Sequence, residues 1–155
     1  MSNYSHIRGV RNHNPGNLKF NGHVQWSGQI LQGRKDNTFC EFQSAEMGIR
    51  AMARLLMTYH RRGLNSIAKI IPTYAPKSEN DTENYIKYVE KNSGFNRHQP
   101  VNMTDVRQAK PIIKAMIHME CGLCLWDDAT IERAIHSAKA NYDATYKNNN
   151  HRPRP

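Results

Sequence analysis

Long apolar runs are what this sequence most plainly lacks. Only 38% of its 155 residues are hydrophobic. No stretch approaches the roughly 20 apolar residues that a membrane-spanning helix needs. The opening MSNYSHIRG has no apolar centre of the kind a secretory signal carries, so the expectation is a product made and released in a cytosol, unless another machine exports it. Cysteine is scarce, with three residues, Cys40, Cys121 and Cys124. An odd count excludes a complete disulfide framework. The C-G-L-C pair has no second pair and no His-x-His to finish a four-ligand zinc site, and reduced, structural thiols are expected. His13, His98 and His118 form no recognisable metal set either, and neither metal nor cofactor is expected. No internal repeat is visible, which sets solenoids and propellers aside. Acid is also in short supply: 13 Asp and Glu stand against 22 Lys and Arg, a net charge of +9. That balance favours polyanionic partners such as nucleic acid, anionic lipid or an acidic wall polymer, without choosing among them. The basic residues are scattered, apart from His60–Gly63 (HRRG) and the HRPRP end, and no reader motif is present. Any binding of nucleic acid is therefore expected to be unspecific.

What the chain does contain is ordered by period. Residues 1–10 read as a short polar leader. From Arg11 to Gln43 the text is turn and short strand. NPGN and the Asn21–Gly22 pair are turn signals, while HVQWSGQIL and NTFCEF alternate apolar and polar residues. Thr38, Cys40 and Phe42 fall on one face of such a strand, Phe39 and Glu41 on the other. The period then becomes helical. Ser44 is placed to cap a helix whose apolar stripe is Ile49, Met52, Leu55, Leu56 and Tyr59, with Gly63 at its end. A short helix over 65–71 should stop at Pro72. Asn80 and Glu83 are spaced as a capping box for the next helix. Thr104 or Asp105 starts another, with Pro111 at a kink or a new first turn. A last one begins near Asp127–Asp128. The layout is a single domain over 11–146, α+β and mainly helical, with a small N-terminal β lobe, five or six helices and a flexible basic tail over 147–155.

The pattern RNHNPGNLKFNG, followed by FCEF, GIRA, GLNSIAKIIPTYAP and ENDT, resembles a family of small phage proteins with an R-N-x-N-P-G-N opening. That family is described as virion structural or lysozyme-like. The resemblance runs from Arg11 to Ala138, and NPGN and ENDT are its most specific blocks. A looser likeness links the order NPGNL, WSG, T-x-x-E-F and YAP to glucosaminidases and lytic transglycosylases of the lysozyme superfamily. In those proteins a catalytic Glu at a helix end precedes the NPGNL-like segment. Here no Glu precedes it. The segment IHMECGLCLWDD, Ile117–Asp128, instead looks like the part of phage lysozymes in which a Glu ends a helix and acts as general acid. The resemblance thus implies a lysozyme-like fold in permuted order, with the acid-bearing helix late in the chain.

Glycosidic cleavage needs a carboxylic acid still protonated near neutral pH, which calls for a poorly solvated site. Glu120 follows Met116, Ile117 and Met119 and precedes Gly122 closely. It sits at a helix C-terminus, where the dipole disfavours a negative charge. Glu41 is the candidate second carboxylate, as nucleophile or base. Planar amides and aromatic faces suit sugars, and Asn14, Asn17, Trp26, Tyr74, Asn80 and Tyr85 are the best supply. The expected function is a phage-associated peptidoglycan-degrading protein of muramidase, glucosaminidase or lytic transglycosylase type. Its partners would be glycan strands and other virion proteins, and it would act at the bacterial wall from the virion or from the host cytoplasm. The alternative is a non-enzymatic virion structural protein that keeps a degenerate lysozyme-like fold.

Overall fold

The computed structural model describes residues 3–150, with side chains through Lys147. Six helices follow in order: α1 Arg8–Arg11, α2 Ala45–Arg61, α3 Ile67–Tyr74, α4 Thr82–Ser93, α5 Val106–Cys121 and α6 Asp128–Asn150. The mainly helical expectation holds. None of the described helices is long and apolar enough to cross a membrane.

Short polar side chains set the helix starts. Ser44 Oγ accepts the Met47 N–H, Asp105 accepts from Arg107, and Asp127 accepts from Thr130, each satisfying an amide that has no partner within its helix. The capping box over 80–83 is displaced by one residue. Asp81, not Asn80, caps α4 by accepting the Asn84 N–H, and Glu83 instead pairs with Arg97. The helix expected to stop at Pro72 runs on to Tyr74. A proline withholds one N–H, the one that would bond Ala68 O, and loses no more than that so close to a helix end. Pro111 lies inside a continuous α5.

α2 lies along α6, α4 packs on α5 and on α3, and α5 meets α6. Their inward stripes form the main core, with Met52, Leu56, Ile71, Val89, Ile113, Met116 and Ile135 sealed from solvent. A second, smaller core joins the N-terminal segment to α2 through Leu18, Cys40, Phe42 and Ala51, with Trp26 and Met47 packed against it.

The expected β lobe is reduced to two isolated antiparallel bridges, Lys19 to Phe39 and Gln29 to Phe42. Residues 38–43 run between two flanking segments. Cys40 N–H bonds Leu18 O and Phe20 N–H bonds Thr38 O on one side; Ile30 N–H bonds Glu41 O and Gln43 N–H bonds Gly28 O on the other. The alternation marks the burial of Cys40 and Phe42, but Thr38 on the same face is exposed and no ladder forms. Side chains capture the amides that would extend it. Asp36 accepts from Thr38 and Phe39, and Glu41 accepts from Lys35 and Asp36, an alternative that competes with strand pairing.

Both ends differ from the expected boundaries. Residues 8–10 belong to the fold: α1 packs on α5, and Gly9 is buried against it. At the other end α6 carries through residues 147–150, and the rest of the expected tail, 151–155, lies outside the described residues. The described cysteines are free, with Cys40 and Cys121 buried. Burial pushes the Cys121 thiol up to about 11, and its Sγ lies 3.3 Å from Pro15 O.

Candidate functional site

The NPGN turn brings its last residue, Asn17, to the wall of a cleft. Asn14 is fully buried and spends its amide on the backbone. Nδ2 donates to Leu18 O and Cys40 O, each at 3.0 Å, and Oδ1 accepts the Leu18 N–H at 3.0 Å. Asn14 is thus the pin that fixes the turn, and no part of its amide faces a ligand. Gly16 lets Tyr74 approach, and the Tyr74 hydroxyl donates to Gly16 O. Asn17 sits in the left-handed region at φ 51°, which an Asn tolerates better than most residues. This conformation turns its side chain toward the end of α5.

There it meets Glu120. Asn17 Nδ2 donates to Glu120 Oε1 at 3.1 Å and to the Glu120 backbone oxygen, also at 3.1 Å. The Tyr85 hydroxyl, from α4, donates to Oε2 at 3.0 Å. Arg8 Nε donates to Asn17 Oδ1 at 3.3 Å, and its guanidinium stacks on Phe39 at 3.7 Å. Four elements, α1, the NPGN turn, α4 and α5, therefore converge on one carboxyl group 103 residues away from Asn17 in sequence.

Glu120 lies in the wall of a cleft of about 410 Å³, bordered by Arg8, Asn17, Lys19, Phe39, Leu55, Tyr59, Tyr74, Glu79 and Asn80 among others. Lys19 and Glu79, both half-exposed, form an ion pair at its edge. Burial pushes the Glu120 carboxyl above the usual carboxylate range, while the Asn17 and Tyr85 bonds and the Arg8 charge pull it back part of the way. Tyr74 and Tyr85 are held well above the ordinary phenol value, first by burial and then by the Glu120 charge, so both remain donors. The Tyr85 hydroxyl also lies 3.5 Å from Met116 O. Its proton can turn there while its oxygen accepts from a neutral Glu120, so the site accommodates either protonation state of the acid.

Of the residues singled out from sequence, the structure brings together Glu120, Asn17, Tyr74, Tyr85 and Asn80. It does not bring Glu41 to them. That carboxylate accepts the Lys35 and Asp36 amides at 2.7 and 2.9 Å and orders their loop. Trp26 packs on the small core, and Asn14 is buried as described. Sequence reasoning missed Arg8, dismissed with the leader, and Lys19, Phe39, Tyr59 and Glu79. From sequence alone Phe39 shows only as lying, with Glu41, on the strand face opposite Cys40. Among the described residues no cluster of His, Cys, Asp and Glu could hold a metal ion.

The Asn17 contact makes a measurable claim. Its Nδ2 bond favours the ionised carboxylate, so removing it should raise the Glu120 pKa further. Asn17→Gly keeps the left-handed backbone at little cost. A carbon-detected NMR titration of Glu120 should show the midpoint moving up. A midpoint that stays put or falls would mean that the amide does not act on the acid.

No protein-family model matches the chain. It is 46% identical over 119 residues to Protein P5 of Pseudoalteromonas phage PM2, an alignment that covers 74% of this chain and 71% of that protein.

Proposed function

This chain belongs to one family with Protein P5 of Pseudoalteromonas phage PM2, and from that premise we propose that it is a virion-associated protein that cuts host peptidoglycan, with Glu120 as general acid. The observation that carries the reading is the setting of Glu120. It is half-buried at the end of a helix, opens on a cleft, and is held by a neutral amide and a phenol rather than by a cation. An acid so placed retains its proton to higher pH than a solvated one. It can then deliver that proton to the oxygen of a leaving sugar.

The rest of the cleft suits a glycan. Tyr59 and Tyr74 line it, and Asn80 stands at its rim. Aromatic faces pack on the apolar faces of pyranoses, and amides pair with hydroxyl and acetamido groups. Glu41 is not needed on this reading. Enzymes of the lysozyme superfamily that work with one Glu use the N-acetyl group of the substrate in place of a second carboxylate. A permuted lysozyme-like arrangement is part of the same proposal: the acid-bearing helix comes late in the chain and is brought back to the NPGN turn.

The test is release of soluble muropeptides from purified peptidoglycan by the isolated protein, followed by mass spectrometry of the products. Cleavage of the glycan backbone is the expected result. Wall binding without any cleavage would overturn the enzymatic reading and favour a non-enzymatic virion component that retains the cleft.

A further inference from the structure

The seam between α2 and α6 carries a row of arginines that no carboxylate neutralises. Arg50 Nε donates to Ser137 Oγ at 2.8 Å, Arg54 Nε donates to Asn141 Oδ1 at 2.8 Å, and the Arg61 guanidinium lies 3.6 Å from the centre of the Tyr146 ring. Among the described residues none of the three has an Asp or Glu within ion-pair distance. The acids nearby are engaged: Glu46 pairs with Arg133, and Asp143 with Lys139. Each guanidinium is thus fixed in place by a neutral partner and keeps its full charge. Holding a long side chain without neutralising it removes much of the entropy that a later ionic contact would otherwise lose.

We propose that this seam is a sequence-tolerant binding surface for the phosphate backbone of double-stranded nucleic acid. Arg50 to Arg61 spans eleven residues of one helix, about 16 Å of axial length. One strand of a duplex carries a charge every 3.4 Å or so of its axis, so a row of that length is long enough to engage several phosphates, one for each of the three guanidiniums. The row ends in a shallow recess of about 350 Å³ bordered by Arg61, Tyr146 and Lys147, with the Lys139-paired Asp143 beside it. A membrane surface is the weaker match. Amphipathic helices that bind bilayers carry an apolar face beside the cations. The large exposed apolar side chains here, Tyr4, Val24, Leu31 and Leu125, all lie outside α2 and α6. The surface is separate from the cleft, which uses Leu55 and Tyr59 of α2, and it does not depend on Glu120.

The experiment is fluorescence anisotropy with two unrelated 20-base-pair DNA duplexes over a range of salt concentrations. Binding to both is expected, weakening steeply with salt. The triple variant Arg50→Gln, Arg54→Gln, Arg61→Gln should flatten the log–log salt slope by about 2.7, three contacts at roughly 0.9 each. Its affinity at 0.1 M salt should fall on the order of 100-fold. Arg61→Gln alone, an exposed change at a helix end, should flatten the slope by about 0.9 and keeps the test open if the triple variant is poorly folded. The control removes three exposed lysines elsewhere, Lys77→Gln, Lys87→Gln and Lys91→Gln, an equal loss of net charge. Equal loss of affinity in control and triple variant would overturn the proposal, since net charge alone would then account for binding. So would an absence of DNA binding, or capture by vesicles containing phosphatidylserine that depends on the three arginines while DNA binding does not.

Discussion

Glu120→Gln is expected to slow glycan cleavage by about 10²- to 10⁴-fold, the range that loss of a positioned general acid produces, without unfolding the protein. Gln has the same shape. Its amide oxygen can accept from Asn17 as Glu120 Oε1 does, and its amide nitrogen can donate to the Tyr85 oxygen, leaving that hydroxyl free to donate to Met116 O. The stability sign can be worked out from the direction of the shift. A carboxyl whose folded pKa lies above its unfolded value makes the folded state the stronger proton binder, so ionisation costs stability. The cost begins as pH rises past the unfolded value of about 4.3 and is complete above the folded pKa. Gln never ionises. The variant should therefore melt no lower than the wild type at pH 7, and its advantage should shrink as the pH is brought below about 4. In the wild type, cleavage should fall as pH rises through the raised pKa of the acid. An active Glu120→Gln protein would remove the assignment. A variant that loses activity and also melts well below the wild type at pH 7 would show that the carboxylate is a structural ion rather than a strained acid.

How much of this was legible in the sequence depends on the range of the interaction. Helix starts were readable because their signals are local. A short polar side chain meets an amide two or three residues on, so Ser44 could be placed, the cap of α5 could be narrowed to Thr104 or Asp105, and the cap of α4 was missed by a single residue. Glu120 was legible for a similar reason, as an acid after an apolar run and near a C-terminal Gly. Its partner Asn17 was named for its amide, yet the contact between them spans 103 residues, and no local rule states it. The β lobe failed in a different way. Alternation in 38–43 reported the burial of Cys40 and Phe42 correctly, but whether alternation becomes a ladder depends on what the neighbouring amides find. Here Asp36 and Glu41 took them. The same capture removed Glu41 from the list of candidate carboxylates. Arg8 was lost because a polar stretch of ten residues reads as a leader. Only the folded structure shows how close the segment lies to the site: a Cβ at Gly9 would lie 2.6 Å from Cys121 Sγ and 3.0 Å from Asn14 O.

Gly48→Ala should be among the most destabilising single changes in the chain, and it would test whether the NPGN turn is what holds the cleft. Two effects oppose each other. In a helix interior Ala is favoured over Gly by about 0.8–1.0 kcal/mol, so on propensity alone α2 would gain. Packing runs the other way. A Cβ at Gly48 would lie 2.1 Å from the backbone oxygen of His13 and 3.1 Å from Pro15 Cδ. No rotamer relieves a clash with a main-chain carbonyl, so the turn itself must move. His13 already has φ 52°, and the buried bonds from Asn14 to Leu18 and Cys40 tie the turn down from the other side. Overpacking of this kind costs about 1–3 kcal/mol and sometimes more, and displaced buried bonds add about 1–3 kcal/mol for each one left unmade. The clash therefore outweighs propensity. For a chain of this size each 1 kcal/mol lowers the melting temperature by about 2–4 °C, so a fall of roughly 5–15 °C is expected by calorimetry. Gly22→Ala is the matched control, because a Cβ there meets nothing within 4 Å, and its melting temperature should stay close to that of the wild type. A turn pushed off α2 also carries Asn17 away from Glu120. Any Gly48→Ala protein that remains folded should then lose cleavage beyond its loss of stability, with the Glu120 midpoint displaced upward as in Asn17→Gly. A variant that melts with the wild type and keeps that midpoint would mean that the turn can leave Gly48 without disturbing the acid.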